Sequence, residues 1–274
     1  MKLSNIKSPE KRARYAAKVR KRIGARFKSP VRTVPVFITG IQRSGTTMLM
    51  NTFHLHEATE VFDEEPNSRV FIDYRIRSDE ILDQSIRNSR YPFACYKIIS
   101  DSHILNEFLQ RYPESFVIWA YRSCTDNADS QLKKFPHATD AIRRVCDGRP
   151  GGGWFAEGCS EQTKQTLRAL DTREFSDFDF ACLVWWARNV LYFEGGHDQQ
   201  TNVRLLSYEN TARDPATIME AVQAWVGMPI SREAGRFVHA RSVAKKDLPT
   251  LHPSVAALCQ PLEAQLNDKA ATQW

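Results

Sequence analysis

The chain has 274 residues, 42% of them hydrophobic, and its 38 Lys and Arg against 32 Asp and Glu leave a formal charge of +6. That length and apolar share suit one large α/β domain, or a domain with a smaller cap, able to bury a proper core. The basic excess does not argue for nucleic acid, because it is concentrated in one segment and the remainder is mildly acidic.

That segment is residues 1–32, a basic N-terminal arm in which Lys2, Lys7, Lys11, Arg12, Arg14, Lys18, Arg20, Lys21, Arg22, Arg26, Lys28 and Arg32 stand against the single acid Glu10. Ser8-Pro9-Glu10 can start a helix, with proline at its first position, and Tyr15, Val19 and Ile23 then form a thin apolar stripe. A helix of this kind either stays solvated or touches an anionic membrane surface or a partner. No stretch approaches the roughly 18 consecutive apolar residues of a membrane span, and the first residues carry charge where a signal peptide needs an apolar core, so a cytoplasmic protein is expected. Six cysteines without a CxxC pair indicate neither a zinc site nor a disulfide framework, and no metal is assigned.

The folded domain is expected over residues 33–274. Val34 to Ile38 reads as a buried strand, Thr39 to Ser44 as a turn, and the following Met48, Leu49, Met50 and Phe53 as the apolar face of a helix. Further strands are predicted at Ala94 to Ile99, Phe116 to Tyr121 and Val203 to Ser207. A helix near Ser102 to Arg111 buries Ile104, Leu105, Phe108 and Leu109. Another starts at the Asp214-Pro215 cap, carries Ile218, Met219, Val222, Trp225 and Val226, and ends at Gly227. Strands alternating with helices give a mostly parallel sheet covered on both faces. Gly148 to Gly158 is read as a loop, and helical insertions between Pro136 and Phe180 are expected to shape a pocket.

Gly40-Ile-Gln42-Arg43-Ser44-Gly45-Thr46-Thr47 sits between that first strand and its helix and has the glycine spacing of a P-loop, in which backbone amides at a helix N-terminus wrap phosphate oxygens. Where an ATPase or kinase has Gly-Lys-Ser/Thr, this chain has Gly45-Thr46-Thr47, with its cation two places earlier at Arg43. The strand Phe116 to Tyr121 ends in Arg122, a cation where a magnesium-binding carboxylate would be needed. That suits a bound anion. A small-molecule kinase or other phosphotransferase is the alternative enzyme, and a non-catalytic anion-binding module using the basic arm is a third reading.

The run Gln42-Arg43-Ser44-Gly45-Thr46-Thr47 after a strand resembles the 5′-phosphosulfate loop of the sulfotransferases that use 3′-phosphoadenosine 5′-phosphosulfate (PAPS). Two more motifs follow in order. Arg122 and Ser130 match the family's strand-end arginine and later serine, and Ser207-Tyr208-Glu209 leading to Asp214-Pro215 matches its Tyr-Glu and Asp/His-Pro pattern. The resemblance covers Gly40 to Gly227. It implies a P-loop-like three-layer α/β fold, PAPS as donor, an acceptor hydroxyl, and donor contacts from Gly40, Gln42, Arg43, Ser44, Gly45, Thr46, Thr47, Arg122, Ser130 and Tyr208. Lys245, in Ser242-Val-Ala-Lys245-Lys246, falls where family members have a loop over the nucleotide.

Charge builds on the leaving phosphate oxygen during sulfuryl transfer, so the site needs fixed cations, for which Arg43 and Lys97 are the candidates. For the base, Asp63-Glu64-Glu65 is similar to the Glu-Glu pair of the tyrosylprotein branch, whose second glutamate corresponds to Glu65; that branch has glycine at the position of Asp63 and threonine at that of Pro66. Histidine serves other branches, which makes His103 the competitor, ahead of His54 and His56. A glycan or glycolipid precursor is the favoured acceptor.

Overall fold

The computed structural model describes residues 8–64, 68–135, 137–150, 153–236, 238 and 247–274. Five parallel strands form the central sheet: β1 (Val34–Gly40), β2 (Thr59–Phe62), β5 (Phe93–Lys97), β6 (Phe116–Tyr121) and β7 (Val203–Ser207), in the spatial order β2-β5-β1-β6-β7. The remaining pair, β3 (Phe71–Ile72) and β4 (Arg75–Ile76), is a separate antiparallel hairpin. Because β1 lies between β5 and β6, the order reverses beside it, and a crevice opens at the carboxyl ends of the strands.

Both sheet faces are buried, so the strands are apolar at nearly every position. Side chains alternate. Val36, Ile38, Ile118 and Ala120 pack with Leu49, Met50 and Phe53 of α2 (Thr46–Leu55) and with Met219 and Val222 further along the chain. Phe37, Tyr96, Val117, Trp119 and Tyr121 face the opposite core, with the long helix Asp177–Glu194 across it.

The chain order of helices is α1 (Pro9–Ala25), α2, α3 (Asp79–Arg87), α4 (Leu105–Arg111), α5 (Cys124–Lys134), α6 (Asp140–Cys146), α7 (Gly153–Ala156), α8 (Glu161–Arg168), α9 (Asp177–Glu194), α10 (Tyr208–Arg213), α11 (Pro215–Val226) and α12 (Pro253–Ala271). The Asp214 side chain caps α11 at Thr217 N, and Gly227 ends it at φ +79. Ser176 and Asp179 form a reciprocal capping box on α9.

Four features depart from the sequence reading. The strand β2, short and at the sheet edge, and the β3–β4 hairpin are additions, and the segment read as a loop from Gly148 to Gly158 contains the single helical turn α7. The helix near Ser102 splits into a 3₁₀ stretch, Ile99–Ile104, followed by α4.

Helix α1 starts as the sequence indicates, with Ser8 as cap and Pro9 at the first position. Its contacts to the domain are polar: Arg14 donates to Asn51 at 2.8 Å, Lys18 pairs with Asp63 at 3.3 Å, and Lys21 reaches the Phe53 carbonyl at 3.2 Å and Thr59 Oγ1 at 3.1 Å. Burial lowers the Lys21 ammonium pKa to about 8. Of the residues read as a stripe, Tyr15 is half-buried whereas Val19 is 40% and Ile23 53% exposed, and Phe27, just beyond the helix, is 86% exposed.

Candidate active site

The phosphate turn leaves β1 through Gly40 at φ +117, where a Cβ would lie 2.0 Å from the Ala120 carbonyl oxygen, so only glycine fits against β6. Gly45, at φ +86, opens α2 and lies flat against the Tyr208 ring, 2.6 Å from where its Cβ would be. Between them Arg43 takes φ +67, a left-handed conformation that a non-glycine residue adopts only when its surroundings hold it.

Those surroundings come from α5. The buried Asn127 amide donates to the Gln42 carbonyl and to Ser44 Oγ, both at 3.0 Å, and is itself fixed by Gln131 Nε2 on its Oδ1 at 2.7 Å. Arg43 Nε donates to Ser130 Oγ at 3.0 Å. The turn is thus fastened before any ligand arrives, with the N-terminus of α2 open beneath it.

Arg122, 3% exposed, continues from β6 into the same space. Its guanidinium lies 4.7 Å from the Tyr208 ring centroid, 3.5 Å from Asp126 and 3.9 Å from Glu209. Glu209 also accepts from the Ser123 amide at 3.0 Å, which orients it at the start of α5. A cleft of about 190 Å³ is lined by Arg43, Gly45, Thr46, Thr47, Arg122, Ser130 and Tyr208. Two guanidinium groups, hydroxyls and a helix N-terminus in one small cleft make a site for a multiply charged anion.

A larger chamber of about 830 Å³ shares Arg43, Thr46 and Thr47 with that cleft. On its floor Lys97, at the end of β5, pairs with Glu64 at 3.0 Å. The Glu64 side chain is 9% exposed, and burial raises its pKa against the opposing pull of Lys97. Its second oxygen, Oε1, has no hydrogen-bond partner among the described residues. The outer walls carry Tyr74, Phe135, His137, Trp154 and Phe155.

The residues singled out from sequence therefore divide. Gly45, Thr46, Thr47, Arg43, Arg122, Ser130 and Tyr208 line one cleft, and Gln42 and Lys97 line the adjoining chamber. Gly40 and Ser44 shape the turn from behind. Glu65 and Lys245 lie outside the described residues.

His103 is not among the chamber's lining residues: its Nε2 faces Glu157 at 3.6 Å, burial lowers its pKa, and Gly158 presses on it so closely that a Cβ there would approach its Cβ to 2.3 Å. His54 and His56 are buried and committed elsewhere, to Asp63 at 2.7 Å and to the Pro229 carbonyl at 2.8 Å. Sequence reasoning missed Asn127 and Asp126, which no motif marked. Glu209 was quoted within the Tyr-Glu pattern but not given its role beside Arg122.

A family model described as the sulfotransferase domain matches residues 34–246. Among solved structures, a sulfotransferase from Alicyclobacillus acidocaldarius is 16% identical with a TM-score of 0.50, over 88% of this chain and 97% of that one. The sulfotransferase STF9 from Mycobacterium avium is 14% identical with a TM-score of 0.45, over 94% and 81% of the two chains. Mouse sulfotransferase SULT7A1 complexed with PAP is 9% identical with a TM-score of 0.42, over 90% and 86%. Among curated proteins none matches the sequence.

Proposed function

The chain belongs to the sulfotransferase domain family and is an enzyme of that class, and from this premise we propose that it moves the sulfuryl group of PAPS onto a hydroxyl of a glycan or glycolipid precursor. The observation that carries the reading is the placement of Arg43, Arg122 and Ser130 in one cleft at the α2 N-terminus, opening through Thr46 and Thr47 into a chamber with room for an acceptor. PAPS carries roughly four negative charges in two groups, and each group is met by an arginine. Arg122 and Ser130 serve the 3′-phosphate. The turn amides and Arg43 serve the phosphosulfate, in a turn that Gly40 seats against β6 and Gly45 against Tyr208.

In the transfer, an acceptor oxygen attacks sulfur in line, the sulfur–oxygen bond to the 5′-phosphate breaks, and the hydroxyl proton passes to a base. Charge develops on the departing phosphate oxygen, where Arg43 and Lys97 supply fixed positive charge. The family resemblance assigns the base to Glu65. A specific observation favours its neighbour: Glu64 lines the chamber, keeps Oε1 without a partner among the described residues, and has its basicity raised by burial. Glu64 is the reading adopted, with Lys97 holding it ionised at 3.0 Å.

No helix among the described residues is long and apolar enough to cross a membrane. The exposed Val19, Ile23 and Phe27 beside Arg22, Arg26 and Lys28 support a cytoplasmic enzyme whose α1 rests on an anionic bilayer. Co-sedimentation with phosphatidylserine vesicles that is lost on raising salt fits this contact; equal binding to neutral vesicles contradicts it. The function itself is tested by incubating the protein with labelled PAPS and an extract of its source organism. A labelled sulfate ester on a glycan or glycolipid fits the reading, and label on any other acceptor class overturns the acceptor assignment.

A further inference from the structure

Two segments from distant parts of the chain close the outer side of the chamber. The first is the β3–β4 hairpin. Its two-residue tip, Asp73-Tyr74, has φ +48 and +65, a turn in which asparagine and glycine are the ordinary occupants. Tyr74 is neither, and its side chain, 63% exposed, lines the chamber mouth. The second is the turn α7, where the rings of Trp154 and Phe155 stack at 4.1 Å and both line the same chamber.

No residue of α7 is fully buried, although Phe155 and Ala156 pack on the edge of the core. Polar contacts complete its anchorage. Arg75, next to Tyr74, reaches Glu157 at 2.5 Å and so ties the hairpin to the segment after α7. From beneath, Arg188 of α9 donates to the carbonyls of Trp154 at 3.1 Å and Glu157 at 2.9 Å and to Ser102 Oγ, with its guanidinium 5.0 Å from the Trp154 ring centroid. Arg188 is 1% exposed, and burial lowers its pKa against the opposing pull of the nearby Glu157 carboxylate. A cation this deeply buried is costly, and this one is bonded to the backbone of the aromatic wall.

We propose that Tyr74 and Trp154 form an aromatic clamp for the acceptor, and that Arg75, Glu157 and Arg188 are positioning residues that set its gap. The clamp selects an alcohol carried on a ring with a flat apolar face, either the C–H face of a sugar or an arene. It rests on the reading of the chamber as the acceptor site of a sulfotransferase.

The test uses the full chain saturated with adenosine 3′,5′-bisphosphate and follows, by calorimetry, titration with methyl β-D-glucopyranoside, 4-nitrophenol and the ringless 1-hexanol. A ring probe should bind at least about ten-fold more tightly than 1-hexanol. Trp154→Ala and Tyr74→Ala should each weaken it about ten-fold and Trp154→Phe should restore it, with bisphosphate affinity unchanged. Glu157→Gln, at a partly exposed position, should give most of the same loss although it touches neither ring and removes only the carboxylate's charge beside Arg75 and His103. In turnover with labelled PAPS and the bound ring alcohol, this variant should raise acceptor KM and leave kcat near its original value.

Binding of the glucoside assigns the clamp to sugars, and binding of 4-nitrophenol alone assigns it to arenes. Ring probes that bind no better than 1-hexanol, or an unchanged affinity in Trp154→Ala, overturn the clamp. Failure of the unmodified protein to bind the bisphosphate strikes instead at the sulfotransferase reading, and the clamp falls with it.

Discussion

Arg43 Nε donates to Ser130 Oγ at 3.0 Å, joining the phosphate turn to α5 across 87 residues of chain. The two residues belong to different motifs, one assigned to the phosphosulfate and the other to the 3′-phosphate. Under the proposed assignment, their contact joins the two ends of the donor site.

Asn127 should matter as much as the motif residues. Its amide holds Gln42 and Ser44, and Arg43 has a left-handed backbone between them. Asn127→Ala leaves those groups without their donor, for a loss of about 1–3 kcal/mol in unfolding free energy and a Kd for adenosine 3′,5′-bisphosphate raised about ten-fold. Urea unfolding and calorimetry check both. A variant with unchanged stability and affinity would show that the turn is held by its own glycines.

The base is separated by three substitutions. Glu64→Gln should lower kcat by about 10²–10⁴-fold with little change in donor affinity, while Glu65→Gln and His103→Ala should be mild. Because burial raises the Glu64 pKa, activity should fall on acidification, as the carboxylate takes up its proton, at a higher pH than an exposed glutamate would give. A pH–rate profile of kcat/KM measures this. If Glu65→Gln is the severe variant, the role returns to Glu65.

How much of this was legible beforehand depends on the kind of contact. Strands β1, β6 and β7 and the helix α11 follow from buried apolar runs and caps, which are local signals. The turn and Arg122 carried their own motif. Edge strand β2 and the hairpin were not legible, since Thr59 to Phe62 has only partly buried positions beyond the first and the hairpin tip lacks the usual glycine. Asn127, Asp126 and Arg188 look like ordinary helix residues. Their importance comes from tertiary neighbours that no spacing encodes. The stripe Tyr15, Val19, Ile23 was read correctly as a helix face, but the face that holds α1 to α2 is the polar one.

Four buried or half-buried histidines, His54, His56, His103 and His197, all have their pKa lowered by burial, His197 to about 4. Below pH 6.5 these four groups bind more protons in the unfolded chain than in the folded one, so the stability they contribute is full above that value and is lost as pH falls toward 4. His197, 3% exposed and packed by Trp119 and Tyr192, contributes most. His197→Gln should flatten the slope of unfolding free energy between pH 6.5 and 4. An unchanged slope would place the acid sensitivity in other groups.

Turnover with labelled PAPS should survive EDTA if, as proposed, Arg43 and Lys97 supply the positive charge that the transfer needs. Loss of activity on chelation with recovery on adding magnesium would transfer that role to a metal ion and favour a phosphotransferase.

The most direct measurement compares adenosine 3′,5′-bisphosphate with magnesium ADP by calorimetry, on the unmodified protein and on Arg122→Ala. Arg122 and Ser130 line the same cleft as the phosphate turn, and only the bisphosphate carries a 3′-phosphate for them. The account predicts at least ten-fold tighter binding of the bisphosphate, and a loss of about 1.5–3 kcal/mol of that affinity in Arg122→Ala. Equal affinities, or tighter binding of magnesium ADP, would contradict it.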